Sequence, residues 1–162
     1  MYKPIQRIIQ VLICVIFIAS CSSVGTKAGT PVSEEELDAA TEEARGSMDV
    51  LFRAMLAPKE SYDFMGVKVR FNTQDGGYDD NWVEPVDYYE GKFTIRMMDG
   101  LAFDKNLHAD NTLDVPLKKI VDWMIVEKDG TLIGGYTIRL AYEHMTRDEK
   151  KEFLRVTGYK LR

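Results

Sequence analysis

Cysteine is almost missing from this chain: Cys14 and Cys21 are the only two in 162 residues, and both fall within the first 21 positions. Beyond them no thiol remains for a disulfide, a thiolate nucleophile or a thiolate-bound metal, which excludes several enzyme classes. Histidine is equally scarce, with His108 and His144 alone. No apolar run reaches the roughly 20 residues that a membrane span requires. Positive charge is in deficit, 21 Lys+Arg against 26 Asp+Glu for a net charge of −5. A surface of that sign repels nucleic acid and anionic headgroups, and no basic aromatic stripe is present to suggest strand binding. Gly-x-Ser-x-Gly elbows, phosphate-cradling loops, cofactor fingerprints and internal repeats are also absent.

What is present begins at the N-terminus. Lys3 and Arg7 form a positive n-region, Ile8 to Ala19 is an apolar run interrupted by Gln10, and Ile18-Ala19-Ser20-Cys21 matches the lipobox of a lipoprotein signal peptide. Ile13 is too large for the small-residue position before a cleavage site, so Cys14 is not the lipidated residue. Cleavage before Cys21 removes residues 1–20 with two positive charges, leaving 19 basic against 26 acidic residues and a net charge of −7. Each buried CH₂ of an acyl chain contributes about 0.8 kcal/mol, so two or three chains on Cys21 anchor the protein essentially permanently. Ser22 follows Cys21, and without an Asp there the expected address in a Gram-negative cell is the periplasmic face of the outer membrane.

Residues 21–32 are rich in Ser, Gly, Thr and Ala, the composition of a flexible tether. At about 3.4 Å per residue such a segment reaches some 35 to 40 Å. Residues 33–162 then read as a single α+β domain. Ser33-Glu34-Glu35-Glu36 is a capping box, and Leu37, Ala40, Ala44, Met48, Leu51 and Met55 form the stripe of one amphipathic helix ending near Pro58. From Tyr62 the period becomes two: Val67, Val69 and Phe71 alternate with Lys68 and Arg70. A polar loop over 72–81 follows, then strands over 82–89 and 92–98 flanking Glu90-Gly91. Leu113, Val115 and Leu117 alternate beside Pro116, which favours a sheet edge. Strands over 121–126 and 132–142 flank Asp129-Gly130, a strong hairpin signal. Thr146-Arg147-Asp148-Glu149 opens a short final helix to about Arg155. The expected fold is therefore a curved antiparallel sheet of about six strands, with an N-terminal amphipathic helix and a short C-terminal helix.

The last hairpin predicts a polar face. A two-residue turn at Asp129 and Gly130 pairs Trp123 with Tyr136 and Asp122 with Thr137. Residues two apart on a strand share a face, so Val121, Trp123 and Ile125 lie against Gly134, Tyr136 and Ile138. The opposite face carries Asp122 and Met124 with Gly135, Thr137 and Arg139. Asp122 and Arg139 then stand within salt-bridge reach, and Asp122, Thr137 and Arg139 are the expected binding face. As a mere surface ion pair they would be worth about 0 to 1 kcal/mol. On that reading Arg139→Ala leaves folding intact and abolishes an interaction. A three-residue turn would slip the register by one and dissolve the grouping.

Ile120-Val121-Asp122-Trp123-Met124, Asp129-Gly130 and Gly134-Gly135-Tyr136-Thr137-Ile138-Arg139 resemble the signature of a bacterial family known as domain of unknown function 2314. The helix leading into Val67-Lys68-Val69-Arg70-Phe71 and the Trp82 strand are similar to its opening half, so the likeness covers about Glu34 to Phe153. Trp123, Gly134, Gly135 and Tyr136 are its structural signature. Relatives often carry an acidic-His-aromatic pattern where this chain has Asp80-Asn81-Trp82. A metal or acid/base role for that histidine has no counterpart here, and the resemblance brings no activity.

Other chemistry fares worse. Asp104, Asn106, His108 and Asp110 alternate like a calcium loop, but Ala109 replaces the turn glycine and Val115 the bidentate Glu. Asp75, Asp79 and Asp80 with Gly76-Gly77 read as a solvated acidic loop. No metal and no cofactor is expected. The function expected is a non-catalytic binding module on an envelope protein partner, inhibitor- or immunity-like in its specific form, held to the membrane by its N-terminal lipid. The alternative is an envelope-polymer hydrolase using a pair of carboxylates near Trp82 and Asp122, with Glu84 or Asp87 as a partner.

Overall fold

The computed structural model describes residues 29–73, 75–96 and 112–161. Ser33 Oγ accepts the Glu36 amide at 3.3 Å and Glu36 accepts the Ser33 amide at 2.9 Å, so the capping box forms and opens α1, Glu34–Gly46. The single helix read from the stripe is broken once. Ser47 leaves helical geometry at φ −110°, and α2, Met48–Met55, continues beyond it. The Ser47 hydroxyl bonds back to Glu43 O at 2.9 Å or Ala44 O at 3.1 Å, satisfying carbonyls that the broken ladder would orphan. The apolar stripe survives the break: Ala40, Ala44, Met48, Leu51 and Ala54 are buried, with Ala54 taking the place expected of Met55.

Six strands follow: β1 Phe64–Asn72, β2 Tyr78–Tyr89, β3 Lys92–Arg96, β4 Thr112–Pro116, β5 Ile120–Val126 and β6 Leu132–Gly134. They form one open sheet in the order β4-β3-β2-β1-β5-β6, each neighbour antiparallel. Glu90 (φ 49°) and Gly91 (φ 78°) make the left-handed two-residue turn that suits the twist between β2 and β3. β4, which ends in Pro116, lies at the sheet edge as read. Two helices close the chain: α3, Tyr136–His144, and α4, Arg147–Thr157, the latter opened by the Thr146–Glu149 capping box.

Alternation splits the apolar side chains between two cores. Val67, Val69, Val83, Phe93, Ile95, Ile120, Trp123 and Ile125 pack with Ala44, Met48 and Leu51 of the N-terminal helices. Trp82, Met124, Val126 and Leu132 pack on the other side with Ile138, Phe153 and Tyr159 of the C-terminal part. Every residue of β5 is consequently buried, the condition of a strand covered on both faces. Fully burying one such side chain contributes about 1.5 to 3 kcal/mol.

The last hairpin differs from its reading. β5 and β6 pair as Met124↔Gly134, Ile125↔Ile133 and Val126↔Leu132, one residue out of the expected register. The cause is a three-residue loop: the Gly130 amide donates to Glu127 O at 2.8 Å, Glu127 N donates to Thr131 O at 2.9 Å, and Gly130 takes φ 88°. The expected long strand over 132–142 is also replaced. Gly134 and Gly135 are both left-handed, at φ 69° and 65°, so the strand stops after three residues and α3 begins. A bulge in β5 aligns Lys68 with Asp122 but Val69 with Ile120, so Ile120, not Val121, joins Trp123 and Ile125 in the first core.

Gly29 and Thr30, assigned to the tether by composition, are held against the body. Thr30 N donates to His144 O at 3.1 Å, and Gly29 lies so close that a Cβ on it would stand 2.3 Å from the same oxygen. Residues 1–28, with Cys21, lie outside the described residues.

Candidate functional site

Asp122 is the place where the family-like signature converges. Its partner element is α3, whose N-terminal residue Gly135 has no side chain with which to cap the helix. Asp122 supplies the cap from the neighbouring strand. Its Oδ1 accepts the amides of Trp123 at 2.7 Å and Tyr136 at 3.1 Å. Its Oδ2 accepts the Thr137 amide at 2.8 Å and the Thr137 hydroxyl at 2.7 Å. Negative charge at a helix N-terminus also complements the helix dipole.

Behind this carboxylate stands Lys68, its cross-strand neighbour on β1. Lys68 Nζ donates to Thr137 Oγ1 at 3.3 Å and lies 5.9 Å from the centre of the Trp82 ring. Burial pushes the Asp122 carboxyl above its ordinary value, and the hydrogen bonds from Thr137, Trp123 and Tyr136 oppose it. Burial pushes the Lys68 amine down, opposed by the charges of Asp80 and Asp122. An ammonium, a hydroxyl and a carboxylate therefore form a chain in which each polar group is satisfied by the next.

The aromatic signature residues fasten a second joint. Trp123 Nε1 donates to Ala44 O at 2.8 Å, and the Tyr136 hydroxyl donates to Ser47 Oγ at 2.7 Å. The two rings meet edge to face with centroids 6.1 Å apart. Gly134 is required by closeness as well as by φ: a Cβ there would lie 2.5 Å from Trp123 O and 2.8 Å from the indole.

The expected polar face is therefore not assembled. Asp122 is fully buried and Thr137 is 7% exposed. Arg139 is directed elsewhere, donating through Nε to Gly134 O at 2.8 Å and through Nη2 to Leu132 O at 2.6 Å. Asp122 and Thr137 come together through helix capping, whereas the expected Asp122–Arg139 ion pair does not form. Sequence reasoning missed Lys68 and Ser47. Lys68 is signalled only as the polar member of an alternating strand, and Ser47 sits inside an uninterrupted helical stripe.

The carboxylates weighed for hydrolysis have other employment. Asp80 holds Arg70 through two bonds of 2.9 Å, with the guanidinium 3.9 Å over the Tyr78 ring. Glu84 pairs with Lys59 at 3.5 Å and Arg96 at 3.8 Å. Asp87 accepts the Tyr88 amide at 2.7 Å. Asp75 accepts from Thr73 Oγ1 and Gly77 N within its turn. His144 lies between Thr30 O at 3.2 Å and Glu36 Oε1 at 3.1 Å. Among the described residues no three His, Cys, Asp or Glu converge as metal ligands. Asp104, Asn106, His108 and Asp110 lie outside the described residues.

Comparison with known proteins returns no matching curated protein and no matching solved structure. A family model described as an uncharacterized protein conserved in bacteria (DUF2314) matches residues 34–161, from the first helix to the end of the described chain. Since the match takes in both cores, the Asp122 cap and the Trp123–Ser47–Tyr136 joint, the chain belongs to the DUF2314 family.

Proposed function

We propose that this chain is a lipid-anchored envelope protein whose DUF2314 domain acts by binding another envelope protein, not by catalysis. The observation that carries this reading is the state of Asp122. All four hydrogen bonds it accepts come from Trp123, Tyr136 and Thr137, and it has no exposed surface from which to meet a substrate. The signature chemistry is spent on holding α3 against the sheet, so recognition falls to the surface. There, Arg70 is pinned by Asp80 and stacked on Tyr78, which is 54% exposed. A preordered arginine beside an exposed tyrosine is the composition of interface hot spots. An inhibitor or immunity role against an envelope-acting protein is the specific form of this proposal.

Crosslinking in the native envelope followed by mass spectrometry tests it, with wild type compared against Tyr78→Ala. A specific protein captured by wild type and lost from the variant is the expected result. Failure of wild type to capture any specific protein overturns the binding reading. Anchorage is tested separately: Cys21→Ser should move the protein from the membrane to the soluble fraction and abolish acyl labelling.

A further inference from the structure

On the side of the second core, the three-residue loop of the last hairpin and the chain just after α4 border an open cavity of about 290 Å³. Its apolar lining is Phe64, Met124, Val126 and Tyr159. This is about the lower size limit of small-ligand sites, which join an apolar floor to a few polar groups. Two polar side chains matter. Asp63 lines the cavity just before β1, its backbone fixed by the hydrogen bond its amide donates to Val126 O at 2.9 Å. Among the described residues its carboxylate has no ion pair or side-chain hydrogen bond, unlike Asp129 nearby, which holds Lys160 at 3.0 Å. Tyr159 is 8% exposed, and its phenol is pushed up to about 12 by burial and then by the charge of Asp63. A buried phenol and a solvent-exposed carboxylate without a protein partner among the described residues thus line the same apolar-floored cavity.

We propose that this cavity binds a small organic ammonium carried on an apolar body, with Asp63 pairing the cation and the lining of Phe64, Met124, Val126 and Tyr159 covering the body. Lys128 also lines the cavity from the loop, and among the described residues it forms no ion pair with Asp63, so the carboxylate stays open to a ligand. An anion on the same body would place like charge beside Asp63, and a neutral alcohol would leave that charge unmatched. The site shares no residue with the Tyr78 surface, so its success or failure is independent of the protein-binding reading.

The test is titration of the full lipidated chain in detergent with benzylamine, benzyl alcohol and benzoate, followed by amide NMR shifts. Benzylamine should give saturable shifts at Val126, Gly130 and Gly158, at concentrations up to about 10 mM, the weak-binding range. Asp63→Asn should weaken it at least tenfold, and Lys128→Glu, which adds a second carboxylate at the rim, should tighten it. Equal response to all three probes, an unchanged affinity in Asp63→Asn, or no saturable shift at these amides would overturn the proposal.

Discussion

Asp122 and Tyr136 are joined across 14 residues by one hydrogen bond of 3.1 Å, from the amide that opens α3 to a carboxylate on β5. The helix begins where it does because a strand side chain accepts its first amides. Asp122→Ala therefore removes a cap and leaves buried donors unmatched. Caps contribute about 0.5 to 2 kcal/mol and each unmatched buried group costs about 1 to 3 kcal/mol, so we expect a loss of about 3 kcal/mol. Chemical denaturation of the variant measures it, and a loss below about 1 kcal/mol would show that α3 is held by packing alone.

Lys68→Met should destabilise the protein increasingly as pH rises. Asp122 has a raised value in the fold, so its contribution is fully present below the unfolded carboxyl value and is lost as pH rises through the folded one. Above that point the ionised carboxylate relies on its Lys68 neighbour; below it the carboxyl is neutral and needs none. Unfolding curves of variant and wild type across a pH series should diverge upward in pH, and parallel curves would dissociate the pair.

Asp129 has the opposite sign. The Thr131 amide at 2.9 Å and Lys160 at 3.0 Å hold its carboxyl well below the usual range. Its stabilisation is present above the unfolded value of about 3.9 and fades as pH falls beneath it. The melting temperature of Asp129→Asn should lie below wild type at pH 7 and approach it at pH 2.5. A gap that persists in acid would assign the effect to something other than ionisation.

Arg139→Ala should lower stability by about 1 to 3 kcal/mol, because the carbonyls of Leu132 and Gly134 lose a charged donor. The polar-face reading predicts no such loss, so a thermal scan separates the two.

The two adjacent left-handed glycines should respond differently to alanine. At Gly134 the new Cβ meets the rigid backbone oxygen of Trp123 at 2.5 Å, whereas at Gly135 it meets the movable end of Leu132 at 2.8 Å. Both variants carry positive-φ strain, but Gly134→Ala should be the more damaging in a denaturation series. Equal losses would mean that φ alone decides.

What the sequence disclosed and what it withheld divide by range. The two capping boxes, the Glu90-Gly91 turn and the Pro116 edge each depend on residues within a few positions, and each was legible. Asp129-Gly130 serves a two-residue and a three-residue loop equally well, yet the choice decides every pairing beyond it. Tyr136, Ile138 and Leu140 alternate like a strand, and the residue that makes them a helix is Asp122 on another element. Ser47 interrupts a helix without interrupting its apolar stripe, because the partners of the break, Trp123 and Tyr136, lie far along the chain.

The clasp on Gly29 and Thr30 changes how far the domain can stray. With Thr30 bonded to His144 and Gly29 packed against the same carbonyl, an acylated Cys21 would be linked to the body by only the seven residues 22–28. Extended at about 3.4 Å each, they reach roughly 24 Å. On the proposed anchorage, a leash that short would keep the domain in a thin shell over the membrane, where a neighbour in the same leaflet would be met at an effective concentration of the millimolar order. A modest intrinsic affinity for such a neighbour would then suffice to keep it occupied.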